Sequence, residues 1–265
     1  MEIIKNPEFE SLLSLIQELE TELANLVYDR DILIYHTCPK LQTEYMLKIG
    51  KLEYAIFEYQ CKILLTKRKI EIIQAHLNKE QSYNITKIDE QLDKEYQEYT
   101  DKLLEKQQEI EKARVKKSSF GKLLTEEESA ELKKLYTQIV KKLHPDINPD
   151  TTEAQHSQFN DAVNAYKNAD LSEIRIIFLL LEKTSDIKTT SSMDKLNKRK
   201  EMLLNEKKYL INEIQKIKES FPYCIKNMLI DKEKLQSKID ELSDILNEHH
   251  DQYKDIEKRL EDISE

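Results

Sequence analysis

The stretch Tyr45–Leu77, YMLKIGKLEYAIFEYQCKILLTKRKIEIIQAHL, decides the fold. Tyr45, Ile49, Leu52, Ile56, Tyr59, Ile63, Thr66, Ile70, Ile73 and Leu77 recur at intervals that alternate between four and three residues. That spacing draws one stripe along an α-helix, the seam of a coiled coil, and does not fit the two-residue alternation of a strand. Gly50 lies inside the run and costs a helix ~1 kcal/mol relative to alanine. The polar segment from Asn78 to Asn84 predicts a turn.

Working outward, the same spacing recurs on both sides. Phe9, Leu12, Ile16, Leu19, Leu23, Leu26 and Leu33 form a first seam, with Arg30 as its exception. The cluster His36-Thr37-Cys38-Pro39 is read as its end, because proline disfavours helical geometry in the residue before it. A weaker, more polar seam runs through Leu92, Tyr96, Tyr99, Leu103, Lys106, Ile110 and Ala113. The segment from Lys116 to Gly121 breaks it and marks a boundary. Beyond residue 185 come Met193, Leu196, Lys200, Leu203, Lys207, Leu210, Ile214, Ile217 and Phe221, and after Pro222 a last seam from Ile225 through Leu235, Leu242, His249 and Ile256 to Ile263. The short break at Pro222 favours an antiparallel hairpin, and a kink in one longer helix is the other reading. Lysines and a histidine at seam positions weaken a coiled coil while selecting register or partner.

Composition agrees. The 265 residues include two glycines and five prolines, 35% are charged, and there is no tryptophan. Without a Gly-rich stretch, a P-loop or dinucleotide fold is excluded. No apolar run approaches the ~20 residues of a membrane span, and the first residues carry no basic-then-apolar leader. Cys38, Cys61 and Cys224 are widely spaced and form no Cys-x-x-Cys, so no disulfide framework or thiolate zinc site is expected, and the compartment is read as cytoplasmic. A net charge of −9 disfavours nucleic-acid binding, and Asp240–Glu265 alone holds ten acidic against three basic residues. His249-His250-Asp251 is not read as a metal site, because adjacent helical residues point in different directions.

The central segment differs. Thr125 and Glu128 have capping-box spacing, which starts a helix. Leu132, Leu135, Ile139, Val140 and Leu143 give it one apolar face. Pro145 stops it near His144, and the polar loop His144-Pro145-Asp146-Ile147-Asn148-Pro149-Asp150 follows. Thr151 or Thr152 caps a second helix whose inner face is Phe159, Ala162, Val163, Ala165 and Tyr166. The expected unit is an antiparallel helix pair with a proline-stiffened His-Pro-Asp tip. Leu171–Leu181 is apolar nearly all round, too short for a membrane, and is expected to lie buried between this pair and a coiled-coil arm.

The stretch Tyr136–Asp150 resembles helix II and the loop of a J domain: a tyrosine eight residues before the histidine, a basic helix, His-Pro-Asp, then Asn-Pro. Phe159 and Ala165-Tyr166 fall where helix III of that family carries its Phe and Ala-Tyr. The resemblance covers about fifty residues, under a fifth of the chain. It implies a co-chaperone that stimulates ATP hydrolysis by a DnaK-type chaperone. Asp146 would then meet an arginine of the ATPase, with His144 and Pro145 shaping the loop. Lys133, Lys134, Lys141 and Lys142 would supply the basic helix, and Tyr136 and Phe159 the docking or supporting surface. The chain departs from the pattern at Thr137 and Gln138, where basic residues are usual, and at Ile147, where lysine is usual. Only Phe120, Leu123 and Leu124 remain for helix I.

The sequence therefore reads as an all-α chain: a helical coiled-coil region over 1–116, a J-domain-like module over 117–184 and a coiled-coil arm over 185–265. The expected role is non-enzymatic, with neither cofactor nor metal. The J-like loop docks on a DnaK-type ATPase and the arms bind a client or partner. Nucleic acid and membrane are not expected partners, and the seams are compatible with a homodimer. The alternative is a coiled-coil scaffold whose J-like module does not stimulate.

Overall fold

A computed structural model describes residues 7–119, 124–182 and 193–264. Among these every regular element is helical: α1 (Pro7–Ile32), α2 (Cys38–Tyr45), α3 (Lys51–Leu77), α4 (Ile85–Glu95), α5 (Gln97–Ser119), α6 (Glu126–Leu143), α7 (Glu153–Lys167), α8 (Leu171–Glu182), α9 (Met193–Glu219), α10 (Lys226–Ile230) and α11 (Lys232–Ser264). The protein is all-α. No helix among the described residues is long and apolar enough to cross a membrane.

The chain divides into two compact units, and neither is a single stretch of sequence. One comprises residues 1–39 and 122–224, the other 40–121 and 225–265. Each therefore combines a piece of the N-terminal region with a piece of the C-terminal arm, unlike the three consecutive segments the sequence suggested.

In the first unit α1 runs alongside α9. Glu20 meets Arg199 at 3.2 Å, Glu22 meets Lys207 at 2.6 Å and Arg30 meets Glu213 at 3.6 Å. Residue numbers rise together along both helices, so the pair is parallel. Leu23, Leu203 and Leu210 are buried between them, each burial stabilising by ~2 kcal/mol. The same core continues through Tyr136, Ile139 and Leu143 of α6, Ala162 and Tyr166 of α7, and Ile174 and Ile177 of α8.

In the second unit α3 pairs with α11, also in parallel. Gln60 touches His249 at 2.9 Å, and Ile63 and Ile70 pack on Ile256. Farther along, Ile73 packs with Ile88 and Leu92 of α4 and is lined by Leu260 and Ile263. Within their units the two helices flanking Pro222 each pair with a helix of the N-terminal region, α9 with α1 and α11 with α3. A seam specifies an apolar stripe, not the helix that covers it.

Four local expectations also change. Pro39 does not end the first helix. A π-turn at Leu33–Thr37 precedes it, in which the Cys38 amide reaches back to the Leu33 carbonyl, and Pro39 sits in the first turn of α2. The widened turn accommodates a residue without an amide donor. The seam from Leu92 to Ala113 is broken at Tyr96, whose backbone leaves helical geometry. Helix α5 runs on to Ser119, past the expected break at Lys116, while Phe120, Gly121 and Leu123 lie outside the described residues. The last helix starts at Lys232, where the Asp231 carboxylate accepts hydrogen bonds from the amides of Glu233 and Lys234.

Candidate docking site

Helices α6 and α7 form the expected pair, and their ends are built by the residues the sequence marked. Thr125 and Glu128 close a reciprocal capping box at the start of α6, and Thr152 and Gln155 close another at the start of α7. Helix α6 ends at Leu143, with His144 already extended ahead of Pro145. Asn148 then folds the loop back on the helix. Its side-chain amide donates to the Lys141 carbonyl at 2.7 Å, and its backbone amide donates to the His144 carbonyl at 2.7 Å. Both bonds satisfy carbonyls that the end of a helix leaves open.

Within the loop the three motif residues have different surroundings. His144 is buried, its ring edge-on to Phe159 at 5.1 Å. Its Nδ1 accepts the Asp146 amide at 3.2 Å. Burial lowers the His144 pKa, opposed by the nearby Asp146 carboxylate, so the ring is neutral near pH 7. The 3.7 Å approach of Nδ1 to the Asp146 carboxylate is therefore not an ion pair at neutral pH. The Asp146 side chain is 49% exposed. Ile147 is wholly buried, and Arg199 of α9 holds its carbonyl. The same guanidinium reaches the Asn148 side-chain oxygen at 3.5 Å and Glu20 of α1 at 3.2 Å. From α9 the Glu206 carboxyl also feels Asp146; burial first, and Asp146 second, raise its pKa.

The basic helix is only partly open. Lys133 lies over the Tyr28 ring at 4.8 Å, and Lys141 donates to the Gln17 carbonyl and to the Thr21 hydroxyl at 2.7 Å. Both contacts are with α1. Thr137 falls between these two lysines on the same face, and its hydroxyl is shielded from solvent. Lys134 and Lys142 are exposed, Lys142 lying 5.8 Å over the Phe178 ring.

Tyr136 is fully buried. Its hydroxyl donates to Asp31 of α1 at 2.6 Å, and its ring stacks on Tyr166 at 4.1 Å. Arg30 also donates to Asp31, at 2.8 Å, and His36 lies 5.0 Å edge-on to Tyr166. Burial, with Asp31 next, raises the Tyr136 pKa far above the usual phenol range. Tyr136 therefore supports the pair from within and presents no surface. Helix α8 buries Leu171, Ile174, Ile177 and Leu181, but Ile176, Leu179 and Leu180 remain exposed. The expectation that it is enclosed is corrected to burial of one face.

Asp31, Arg199, Asn148 and Glu206 complete this site. Asn148 is read from sequence only as part of the loop, without a role. The others come from helices distant in sequence. Elsewhere, His249 and His250 turn to different partners, Gln60 and the Tyr59 ring. Among the described residues no group of three His, Cys, Asp or Glu is placed to hold a metal ion. No family model matches the chain, and no curated protein or solved structure is significantly similar to it.

Proposed function

We propose that the protein is a J-domain-like co-chaperone that acts in the cytoplasm on a DnaK-type ATPase and is not itself an enzyme. The observation that carries this reading is the tip of the α6–α7 pair, where a buried neutral His144 and a restricted Pro145 hold a solvent-facing Asp146 carboxylate. Such a carboxylate, at the tip of a helix pair that also exposes Lys134 and Lys142, suits an arginine at the edge of an acidic docking surface. The paired helices outside the J-like unit are available for a client or partner.

A single-turnover ATPase assay with a DnaK-type chaperone tests the reading. Wild type is expected to accelerate hydrolysis, and His144→Gln and Asp146→Asn to lose the acceleration. Equal or absent stimulation by all three proteins would sink it.

A second reading has its own support: a scaffold whose J-like module packs without stimulating. Lys133, Tyr136 and Lys141, three of the residues expected to face a chaperone, contact α1. Under this reading all three proteins leave the ATPase rate at its basal value.

A further inference from the structure

Beside the loop, within the same unit, lies an open groove of about 910 Å³ bounded by α1, the end of α6, the segment after the loop and the first turns of α9. Its floor is apolar, made by Leu13 and Ile16 of α1 and Leu196 and Met202 of α9. Met202 is 51% exposed. The rim is basic. Lys142, Lys195, Lys198 and Arg199 line it against Glu20 and Asp150, giving a local balance of four positive to two negative. The chain as a whole carries −9. Glu20 is already paired with Arg199, so what an incoming group meets is mainly Lys195 and Lys198.

The geometry points to this groove as a binding site for an acidic linear segment of a partner protein, with leucine-type side chains on the floor and Asp or Glu side chains against the rim lysines. Charge complementarity selects the occupant: a basic cleft on an acidic protein attracts carboxylates and repels other basic surfaces. The volume lies in the range of sites that hold ligands of several residues or less. A nucleic-acid strand fits poorly. Among the described residues no aromatic side chain lines the groove to stack bases, and the net charge of the chain opposes a polyphosphate. The groove shares Lys142 and the second half of the loop with the surface assigned to the chaperone, but neither His144 nor Asp146 lines it, so His144→Gln separates the two readings.

Fluorescence anisotropy on the full chain tests it. The probe is a labelled peptide of alternating Leu with Asp or Glu, compared with its Asn/Gln isostere. The acidic peptide is expected to bind, and the isostere to bind at least tenfold more weakly. The double variant Lys195→Glu/Lys198→Glu is expected to lose at least tenfold in affinity. Both residues are exposed and near the start of α9, where acidic side chains suit the helix dipole, so the fold is kept. Met202→Asp, on the floor, is expected to weaken binding similarly, and His144→Gln to leave it unchanged. The proposal is overturned if wild type does not bind the acidic peptide, if the isostere or the charge-reversed variant binds equally well, or if a single-stranded oligonucleotide competes as well as the peptide.

Discussion

The Tyr136 hydroxyl donates a 2.6 Å hydrogen bond to the buried carboxylate of Asp31, joining α6 to α1 across 105 positions of sequence. Asp31 is 1% exposed, and Arg30 shares its carboxylate. A buried carboxylate is tolerated only when its acceptor sites are filled, so this bond fixes which face of α6 turns toward α1. Tyr136→Phe should cost about 2 kcal/mol, as for a hydrogen bond to a charged group. Combining it with Asp31→Asn should cost less than the sum of the single changes, because the two residues share one interaction. Urea denaturation of the four proteins measures this, and strict additivity would refute the coupling.

Two histidines of the first unit, His36 and His144, give it an acid-sensitive stability. Burial lowers the pKa of His144, and of His36, whose Nε2 lies 3.2 Å from the Tyr166 carbonyl. Asp146 and Asp31 oppose the shift at His144 and Arg30 reinforces it. In both cases the folded pKa lies below the unfolded value of ~6.5. The unfolded chain therefore binds protons first, and the contribution is complete above that pH and lost as pH falls through the folded values. Thermal unfolding between pH 7.5 and pH 5 should show a decline that is shallower in His144→Gln and in His36→Gln. An unchanged slope in both variants would contradict the assignment.

Arg199 anchors the loop backbone from α9 through the Ile147 carbonyl and the Asn148 side chain. Its removal should free the turn in which the Ile147 and Asn148 amides bond to the His144 carbonyl. Loss of about 1.4 kcal/mol, within the range for a charged hydrogen bond, corresponds to about tenfold faster exchange of those amides. Hydrogen exchange in Arg199→Ala, read at these two positions by NMR, checks this. Exchange at the wild-type rate would show that the loop is held by its own turn alone.

Ile147 stands where the J-domain pattern has lysine, and the structure supplies the reason: the side chain is fully buried in the core of α1, α6, α7, α8 and α9. Ile147→Lys is expected to destabilise by about 3 kcal/mol, the scale of an uncompensated buried charge. Ile147→Val is expected to cost about 1 kcal/mol. A lysine variant as stable as wild type would mean that the position opens to solvent.

How much of this was legible in advance varies by residue. The caps at Thr125 and Thr152, the stop before Pro145 and the inner face of α7 are written in spacings of a few residues, and local sequence suffices for them. Gly50 was visible as a defect in a seam, and the structure adds its setting: it is buried at the end of a π-turn, where a Cβ would lie 3.1 Å from the Met46 sulfur. The burial of Tyr136, the covering of Lys133 and Lys141, and the roles of Asp31 and Arg199 were not legible. Each depends on a helix that arrives from a distant part of the chain.

By itself the sequence determined the all-α class, most of the apolar stripes and the stop of α6 at His144 ahead of Pro145, because periodicity, capping and proline act within a few residues. Only the tertiary structure decided that α1 pairs with α9 and α3 with α11, and that α1 covers one face of α6. Apolar stripes are interchangeable as partners. What selects among them is a small set of polar contacts, Asp31 with Tyr136, Glu20 with Arg199 and Glu22 with Lys207, whose members lie more than 100 residues apart.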